Sequence, residues 1–582
     1  MSLSVATSII SASLRTTEVA SAVAASNVAN ADTAGYTRKT AAQAATDTAV
    51  GFATVDIPGI SSTVDQFLLK TLIGAQPGVG SSKTLDSYLD QAQQVMGTTN
   101  SDSALGSLID GLDSVLGTLS TSPESESAKS AVLSNLNDVA TALRGASSQI
   151  QDLRGQADKA IATTVGTINT ALTSIGDLND QIVKGKALGQ NTGDLEDQRN
   201  EALKTLSQNI GVRYQVDGNG MMRVSTDSGA ALVDSTVHTL SYSPAASVGA
   251  GTVYNAGGGS GFQGIMVSGR DITTSVGSGT LGALVSLRDT LLPQRQATLD
   301  QLAGTLKDTL NGISNAGTAS PPPNTLTGNA TVSGTDALNG SGTLRVAVTD
   351  ADGKAVEVQE FDLSSYATVQ DAVSAIDGMA NLSASISADG KLVIKAASAS
   401  NGVALGSTGT AVGNGAKGFS AAFGLNDLLT GTSAADLKLD AALAADSSRL
   451  STSALSTAAT LAAGDVAVST GDGSTAQALS DAFSQPVSFA AAGDLTARKA
   501  TFASYAGSVI QAAATAADKA ASTHTSQQSY ADGLDSALSS QSGVNVNEET
   551  AAVSSLQSAY QASAAVMKVL EEMFQSALGM LG

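Results

Sequence analysis

The hydrophobic pattern is most regular near the C-terminus, from Glu548 to Leu581. Apolar positions there recur in steps that alternate three and four, which is the spacing of a coiled-coil seam. The seam consists of Val553, Leu556, Tyr560, Ser563, Met567, Leu570, Phe574, Ala577 and Leu581. Asn547 stands before two glutamates and predicts an N-cap with carboxylates in the first helical turn. We therefore predict one long helix whose seam faces another helix.

Such a helix does not stabilise itself, because packing along one stripe contributes less free energy than ordering the chain costs. Residues 2–30 predict its partner, a helix rich in Ala, Ser and Val with Leu3, Ile10 and Leu14 on one stripe. The small residues allow a close approach. We expect the two terminal helices to pair as a coiled coil, and an ordinary amphipathic helix is the alternative for the first one.

Helical periodicity also dominates residues 122–185. Ser122 and Pro123 predict the start of this region, as N-cap and first helical residue. Its apolar stripe shifts once by an extra four-residue step, as in a coiled-coil stutter. The stripe consists of Leu136, Val139, Leu143, Ala146, Ile150, Leu153, Ala157, Ile161, Val165, Ile168, Leu172, Ile175, Asn179 and Ile182. After a loop near Gly185, a second helix is predicted around residues 195–203.

Alternating hydrophobicity follows that second helix. Residues 212–216 alternate, residues 217–220 have turn chemistry, and residues 222–224 alternate again, which predicts a β-hairpin. Two further helices are predicted, around residues 299–310 and from 502 to about 540.

A stiff, proline-rich break at residues 320–324 precedes a change of pattern. Strand-like alternation at residues 344–348 and 356–358 is followed by a short helix at 368–379 and by strands at 386–394. This order predicts a compact ββαββ-type module inserted between helical segments.

Together these elements predict an α+β multidomain protein, and 582 residues are enough for several domains. Residues 1–70 and 525–582 would form the terminal helical assembly domain, in which the two chain ends pair as a coiled coil. Residues 71–320 and 436–524 would form a long-helix domain with β-hairpins. Residues 321–435 would form the α+β insert.

Composition excludes several classes of partner and of chemistry. The formal charge is -22 and the Lys and Arg residues are scattered singly, which argues against nucleic acid or an anionic membrane as a partner. The absence of cysteine excludes disulfides, thiolate chemistry and Cys-based zinc sites. No stretch of about 18 residues is apolar enough to insert into a membrane. Because no Lys or Arg precedes Arg15, we expect either a cytoplasmic protein or export with an uncleaved signal.

Candidate catalytic residues are few. His238 and His524 are the two histidines, and they lie in different predicted domains, so a Ser-His-Asp triad or a His-based metal site could be built around only one of them. We interpret His238 as an exposed strand position and His524 as a position on a polar helix.

Two other patterns imitate functional sites. Gly259-x-Gly261-x-x-Gly264 has the spacing of a dinucleotide-binding loop, but strand-like residues follow it where such a site needs a helix. Glu548-Glu549 and Glu571-Glu572 could imitate catalytic carboxylates, but neighbours on a helix point about 100° apart, so we interpret them as solvated or capping acids. We expect no enzyme activity, no cofactor and no metal.

A short polar segment follows the first predicted helix. Its characteristic residues are Asn27, Asn30, Thr33, Gly35 and Tyr36. The segment resembles the N-terminal signature of the bacterial flagellar axial proteins, the rod, hook and hook-associated subunits, with Ala34 where a proline is common. Residues 542–549 and 556–563 resemble the matching C-terminal signature of the same family.

Segments between the two signatures favour the hook-associated members of this family. They are Asp197-Gln198-Arg199, Ile210-Gly211-Val212 with the following hairpin, Gly279-Thr280-Leu281-Gly282-Ala283-Leu284, and Arg288-Asp289. The resemblance covers most of the chain outside the insert.

The resemblance implies a structural, non-enzymatic subunit at the hook-filament junction that polymerises through its terminal helices into a tubular array. The implied partners are further copies of the chain, the hook protein, the next hook-associated protein, and a cytosolic export chaperone on the C-terminal helix. The implied location is the extracellular flagellum, reached from the cytoplasm by type III export, with the insert facing outward. Subunit packing is expected at Leu3, Ile10, Leu14, Val553, Leu556, Tyr560, Met567, Leu570, Phe574 and Leu581.

Two alternatives remain at this point. The chain could be another axial subunit, such as a hook protein or a flagellin-like protein. An Ala/Gly-rich secreted hydrolase or adhesin could also carry long helices, and a cleaved signal or a His-centred site would support that alternative.

Overall fold

The computed structural model of the chain describes residues 3–47, 52–97, 105–256, 261–413 and 415–580. The helices in these ranges are α1 (Leu3–Ala29), α2 (Gln66–Met96), α3 (Leu105–Thr121), α4 (Glu126–Ala187), α5 (Gly193–Asn209), α6 (Gly279–Ser286), α7 (Leu292–Ala316), α8 (Val369–Asp377), α9 (Phe419–Phe423), α10 (Ala441–Ala445), α11 (Ser474–Ser484), α12 (Phe502–Ser542) and α13 (Val546–Gly579).

The strands are short and antiparallel. They are β1 (Lys39–Asp47), β2 (Ala53–Ser62), β3 (Val212–Val216), β4 (Met222–Thr226), β5 (Ala231–Val233), β6 (Leu240–Ser241), β7 (Met266–Val267), β8 (Arg270–Asp271), β9 (Thr325–Thr327), β10 (Ser341–Thr349), β11 (Ala355–Asp362), β12 (Leu382–Ile386), β13 (Leu392–Ala396), β14 (Gly402–Ala411), β15 (Leu429–Thr430), β16 (Lys438–Leu439), β17 (Val487–Phe489) and β18 (Arg498–Ala500).

Helix α4 is the central rod of the molecule. It has 62 residues, so its length is about 90 Å at the usual rise per residue. The predicted apolar stripe is confirmed, because all its members are buried except the half-buried Ala146. The predicted start was wrong. Thr121 ends α3, Ser122 to Ser125 form a turn, and the Ser125 side chain caps α4 by accepting from the Ala128 backbone N–H.

Helices α2 and α12 pack against each other and share one continuous hydrophobic core with α3, α4, α5, α6 and α7. Helix α2 contains Pro77 and several glycines, and the sequence pattern did not predict it. One of these glycines, Gly80, is required by packing, because a Cβ there would lie 1.9 Å from the carbonyl oxygen of Gln208 in α5. The glycine therefore allows two helices to touch backbone to backbone.

The predicted elements of this region agree with the structure. The β3–β4 hairpin pairs Val212 with Thr226 and Val216 with Met222, and α5, α7 and α12 cover their predicted ranges. Among the described residues, no helix combines the length and the apolar character needed to cross a membrane.

The insert has a hydrophobic core of its own, built from residues 326 to 425. The strands β10, β11 and β13 and helix α8 overlap the segments predicted for them, whereas β12 ends at Ile386, where its predicted segment begins, and β9 and β14 were not predicted. Two three-stranded sheets result, in the orders β11-β10-β14 and β12-β13-β9. Thr368 and Asp371 form a capping box at the start of α8.

A segment after the predicted end of the insert covers one of these sheets. Leu455, Ala467 and Val468 pack against Ala347 of β10 and Ala404 of β14. The segment is held there by hydrogen bonds such as that from the Ala355 N–H to the Asp465 carbonyl. The chain therefore returns to the insert after residue 435, because the outer face of the sheet needs an apolar cover.

The two chain ends lie together, with α1 packed against α13. The predicted start of α13 was two residues late. Asn545, not Asn547, is the N-cap, and its side chain accepts from the backbone N–H groups of Asn547 and Glu548. Of the described residues of α13, only Glu549 is buried, so this helix leaves most of its surface open.

Candidate assembly joint and terminal helices

The signature segment folds into a turn where the terminal helices meet the rest of the molecule. Residues from α1, α5, α13 and the start of β1 converge on this turn. We call this cluster the polar joint, and it consists of Asn27, Tyr36, Thr37, Arg38, Lys39, Asp197 and Glu549.

Asn27 is the centre of the polar joint and is fully buried. Its Nδ2 donates to the Lys39 carbonyl at 2.9 Å and to Glu549 Oε2 at 3.1 Å. Its Oδ1 accepts from the Lys39 backbone N–H and from the Tyr36 hydroxyl, both at 3.0 Å. Two donors and two acceptor positions are the full capacity of an amide side chain. Aspartate would lose both donations and bring a second carboxylate against Glu549.

Glu549 connects α13 to the same turn. Its carboxylate is 2.6 Å from Arg38 Nε, and the residue is only 2% exposed. The expectation of a solvated or capping acid is therefore wrong for Glu549, although Glu548, Glu571 and Glu572 are exposed as expected. A buried carboxylate needs hydrogen bonds and a counter-charge, and Asn27 and Arg38 supply them.

Asp197 connects the joint to α5. It accepts from the Thr37 backbone N–H at 2.9 Å and from the Thr37 hydroxyl at 2.7 Å, and it pairs with Lys39 Nζ, which also contacts Asp194 at 3.1 Å. Burial raises the pKa of Asp197, and the hydrogen bonds from Lys39 and Thr37 oppose that rise. The carboxylate therefore depends on both partners for its charge.

Arg199 lies two residues after Asp197 and faces the other way. It is buried and donates to Asn179 Oδ1 of α4 at 2.9 Å and to the Gly220 carbonyl of the β3–β4 turn at 2.5 Å. The Asp197-Gln198-Arg199 segment thus links the polar joint at one end to the long helix at the other. The two-residue separation of Asp197 and Arg199 therefore places their side chains on different partners.

The remaining signature residues shape the turn. Asn30 Oδ1 accepts from the Thr33 hydroxyl at 3.4 Å, and the Thr33 N–H donates to the Asn30 carbonyl at 3.0 Å. Gly35 has a φ of 76°, which favours glycine. A Cβ at Gly35 would also lie 2.5 Å from Cγ of Glu201 in α5.

The described packing residues of the terminal helices lie in two environments. Leu3, Ile10 and Leu14 of α1 are half-buried, as are Val553, Leu556, Met567 and Leu570 of α13. Tyr560 and Phe574 are exposed, and Leu581 lies outside the described residues. The two helices touch at Ser13 and Ser563, whose hydroxyls are 3.3 Å apart. Helix α13 therefore uses one stripe against α1.

Helix α13 also carries an apolar surface that is open, partly in line with the stripe that contacts α1 and partly beside it. Its members are about half exposed or more, and they are Tyr560, Val566, Val569, Met573, Phe574, Leu578 and Met580. Tyr560 and Phe574 belong to the predicted seam, whereas Val566, Val569, Met573 and Met580 lie on one flank of it. Monomeric proteins rarely expose a contiguous apolar surface of this kind unless it binds another protein or a membrane.

His238 has neighbours that sequence reasoning missed. Its Nε2 is 3.1 Å from Asp234 Oδ2 and its Nδ1 is 3.1 Å from Ser268 Oγ. The backbone N–H of Thr236, followed by His238, lowers the pKa of Asp234 to about 2. In a Ser-His-Asp triad the serine faces Nε2 and the aspartate faces Nδ1. The arrangement is reversed here, so we interpret it as a clamp between two surface loops.

The other candidate chemistry has no support in the described residues. His524 lies on α12 with its Nδ1 3.5 Å from Ser82 Oγ of α2. Gly259 lies outside the described residues, and the strand β7, rather than a helix, follows Gly264. Within the described ranges, no three His, Asp or Glu side chains form a group that could hold a metal ion.

Comparisons with known proteins match the middle of the chain and the region of its C-terminal signature. The family model described as "Flagellar hook-associated protein FlgK helical domain" matches residues 89–330, and the model described as "Flagellar basal body rod FlgEFG protein C-terminal" matches residues 536–580. Over these two segments the chain is therefore similar to the bacterial flagellar axial proteins, and the resemblance to this class is confirmed.

Within the class, the chain is similar to flagellar hook-associated protein 1. It is 27% identical over 297 residues to that protein from Salmonella typhimurium, covering 49% of this chain and 52% of the relative. It is 26% identical over 313 residues to that from Escherichia coli, covering 52% and 56%. The chain thus spans about half the length of the curated relatives it matches. The solved structure titled "The structure of the flagellar hook junction protein FlgK from Burkholderia pseudomallei" covers 80% of this chain and 99% of that chain, at 16% identity and a TM-score of 0.47.

We predict that Glu549→Gln loosens the terminal pair. The substitution keeps the shape of the side chain but removes the charge that Arg38 and Asn27 require, which costs about 1–3 kcal/mol. Hydrogen exchange should become faster in α1 and α13 while α4 is unchanged. Glu548→Gln is the matched control, since Glu548 is exposed. Equal exchange in both variants would contradict a structural role for Glu549.

We predict a second, larger effect for Asp197→Ala. Lys39, which is 4% exposed at its side chain, would remain buried without its main partner, and breaking such a buried pair costs about 3–5 kcal/mol. Asp194→Ala removes the other carboxylate near Lys39, but its side chain is 62% exposed, so it should cost less than about 1 kcal/mol. Urea unfolding followed by circular dichroism measures both, and similar midpoints would refute this assignment.

Proposed function

We propose that this chain is a structural subunit of the bacterial flagellum at the hook-filament junction, where it polymerises through α1 and α13 and joins hook to filament. The observation that carries the proposal is the state of α13. It is fixed to the rest of the chain at Glu549, while an apolar surface from Tyr560 to Met580 stays open. An isolated subunit gains little from such a surface, whereas a tube of subunits would cover it.

The domain division follows from the same reasoning. Residues 1–70 and 525–582 are the assembly part, in which α1 and α13 pair as a coiled coil. Residues 71–320 and 436–524 form the long-helix part, and residues 321–435 form the outward-facing ββαββ-type insert. Support comes from the polar joint at the first boundary and from the separate hydrophobic core of the insert.

The expected partners are other copies of this chain, the hook protein and the next hook-associated protein. A cytosolic chaperone would cover the open surface of α13 before type III export, and the N-terminal region would serve as the uncleaved export signal. The mature location would then be the extracellular flagellum. These assignments are supported by the similarity to flagellar hook-associated protein 1.

We assign no enzyme activity, cofactor or metal to this function. An axial subunit of another kind, such as hook protein, is the second candidate. The match of residues 89–330 to a hook-associated helical domain favours the junction protein, and a secreted hydrolase or adhesin is disfavoured for the same reason.

We predict that Leu556→Asp or Leu570→Asp abolishes incorporation into the flagellum and swimming, because each places a charge in the half-buried seam between α1 and α13. The variants should be secreted with the middle of the chain folded, and cells should shed unpolymerised flagellin. Thr167→Asp, at an exposed position of α4, should swim normally. Immunogold labelling should place the chain where the filament begins. Normal motility of either seam variant, or label along the whole hook, would contradict the proposal.

We also predict that both chain ends are weakly ordered in the free subunit. Helix α13 buries one described residue, whereas α4 is buried along its whole stripe, and protection from exchange follows burial. In the monomer, amides of α1 and α13 should exchange far faster than those of α4 or α12. Full protection of both terminal helices in the monomer would show that they need no neighbours.

A further inference from the structure

One aromatic side chain near the polar joint is exposed without an evident intramolecular reason. Phe67, in the first turn of α2, is 77% exposed. Seven of the ten phenylalanines are at most 5% exposed, and they are Phe262, Phe361, Phe419, Phe423, Phe483, Phe489 and Phe502. Phe67 is more exposed than Phe52 or Phe574. An exposed aromatic of this kind is typical of an anchor for a protein partner.

A cleft lies at the same level of the molecule, on the other side of α2. Its volume is about 340 Å³, and its lining is mixed, with polar groups of the signature turn beside the apolar side chains of Val64, Leu69, Leu72, Leu538 and Val544. A cavity of about 150 Å³ is enough to hold benzene, so the volume is sufficient for a phenyl ring.

The position of the cleft relative to Phe67 decides what can fill it. Leu69 follows Phe67 by two residues, which is about 200° around a helix, so the two side chains leave α2 in opposite directions. Phe67 therefore cannot enter the cleft of its own chain. A ring and a cleft on opposite faces at one height form a contact that repeats from copy to copy around a tube.

The charges around the two features are complementary. Glu201 and Asp535 lie at the cleft together with Lys204, which is 2.7 Å from Asp535. Lys70 lies one helical turn after Phe67 and is exposed, and it forms no ion pair among the residues that the structure describes. When Phe67 enters a neighbouring cleft, Lys70 reaches the acidic rim.

We propose that Phe67 of each copy inserts into the cleft beneath the signature turn of the next copy. The contact is head-to-tail, and its occupant is a second copy of this chain. It deepens the proposed function, on which it rests, by assigning a lateral contact outside the terminal helices. It also gives the signature turn a second role, since residues 31–37 line the cleft.

The absence of cysteine in the chain makes a direct test possible. Gln66→Cys places one thiol beside Phe67 and leaves both Phe67 and Lys70 in place, and Ser539→Cys places one thiol at the cleft. Both positions are exposed. The two variants are mixed, assembled and treated with a short bismaleimide cross-linker. A covalent dimer should form in the mixture and not in either variant alone. Ser364→Cys, at an exposed position of the insert, replaces Gln66→Cys in the control mixture and should give no dimer.

The cross-linking distinguishes a head-to-tail contact from a contact between identical surfaces and from a failure to assemble. Dimers in a single variant alone would mean that identical surfaces meet, which overturns the head-to-tail contact. Assembled variants without dimers in the mixture would refute the Phe67 contact and leave the proposed function standing. Failure of the unmodified chain to assemble with itself or with flagellar partners would instead refute the proposed function, and the contact with it.

A second measurement does not depend on thiols. Phe67→Ser should reduce incorporation at least tenfold, and Phe67→Leu should restore most of it, because an apolar side chain still fills the cleft. Both variants should fold like the unmodified monomer by circular dichroism, since Phe67 is exposed there. Equal incorporation of the serine and leucine variants would overturn the proposal.

Discussion

A buried carboxylate is tolerated in a protein only where hydrogen bonds and a counter-charge meet it in a defined geometry. Glu549 is such a group, and its partners Asn27 and Arg38 come from the other end of the chain. Asn27 in turn fixes Lys39, whose side chain pairs with Asp197 of the middle helices. The orientation of the terminal helices relative to the long-helix part therefore depends on one continuous set of polar contacts.

The polar joint and the apolar surface of α13 have different roles. The polar joint specifies direction, because each of its groups has a single satisfied position and would be costly to leave unpaired. In the proposed assembly, the apolar surface of α13 would supply the free energy of association, because the free energy of burial is proportional to area and tolerates small differences in geometry. Such a subunit has a fixed geometry at the polar joint and an exposed apolar surface along α13.

Sequence patterns predicted the elements that depend on local periodicity. The stripe of α4 and the β3–β4 hairpin follow from spacing along the chain, and these predictions were accurate. Helix α2 was not predicted, because Pro77 and its glycines hide the helical pattern, and Gly80 is explained only by the backbone of α5. The polar joint could not be derived from spacing, since Asn27 and Glu549 are 522 residues apart. Glu549 looked like its neighbour Glu548, and only the folded chain distinguishes them.

The central claim is that the polar joint holds the terminal helices in place while neighbouring copies cover the open surface of α13. A cryo-EM map of the intact flagellum at the point where the filament begins tests it most directly. We expect density for this chain there, with Glu549 still paired to Arg38 and with Val569, Met573 and Phe574 buried against adjacent subunits. A map in which those side chains face solvent, or in which this chain is absent from the junction, would contradict the account.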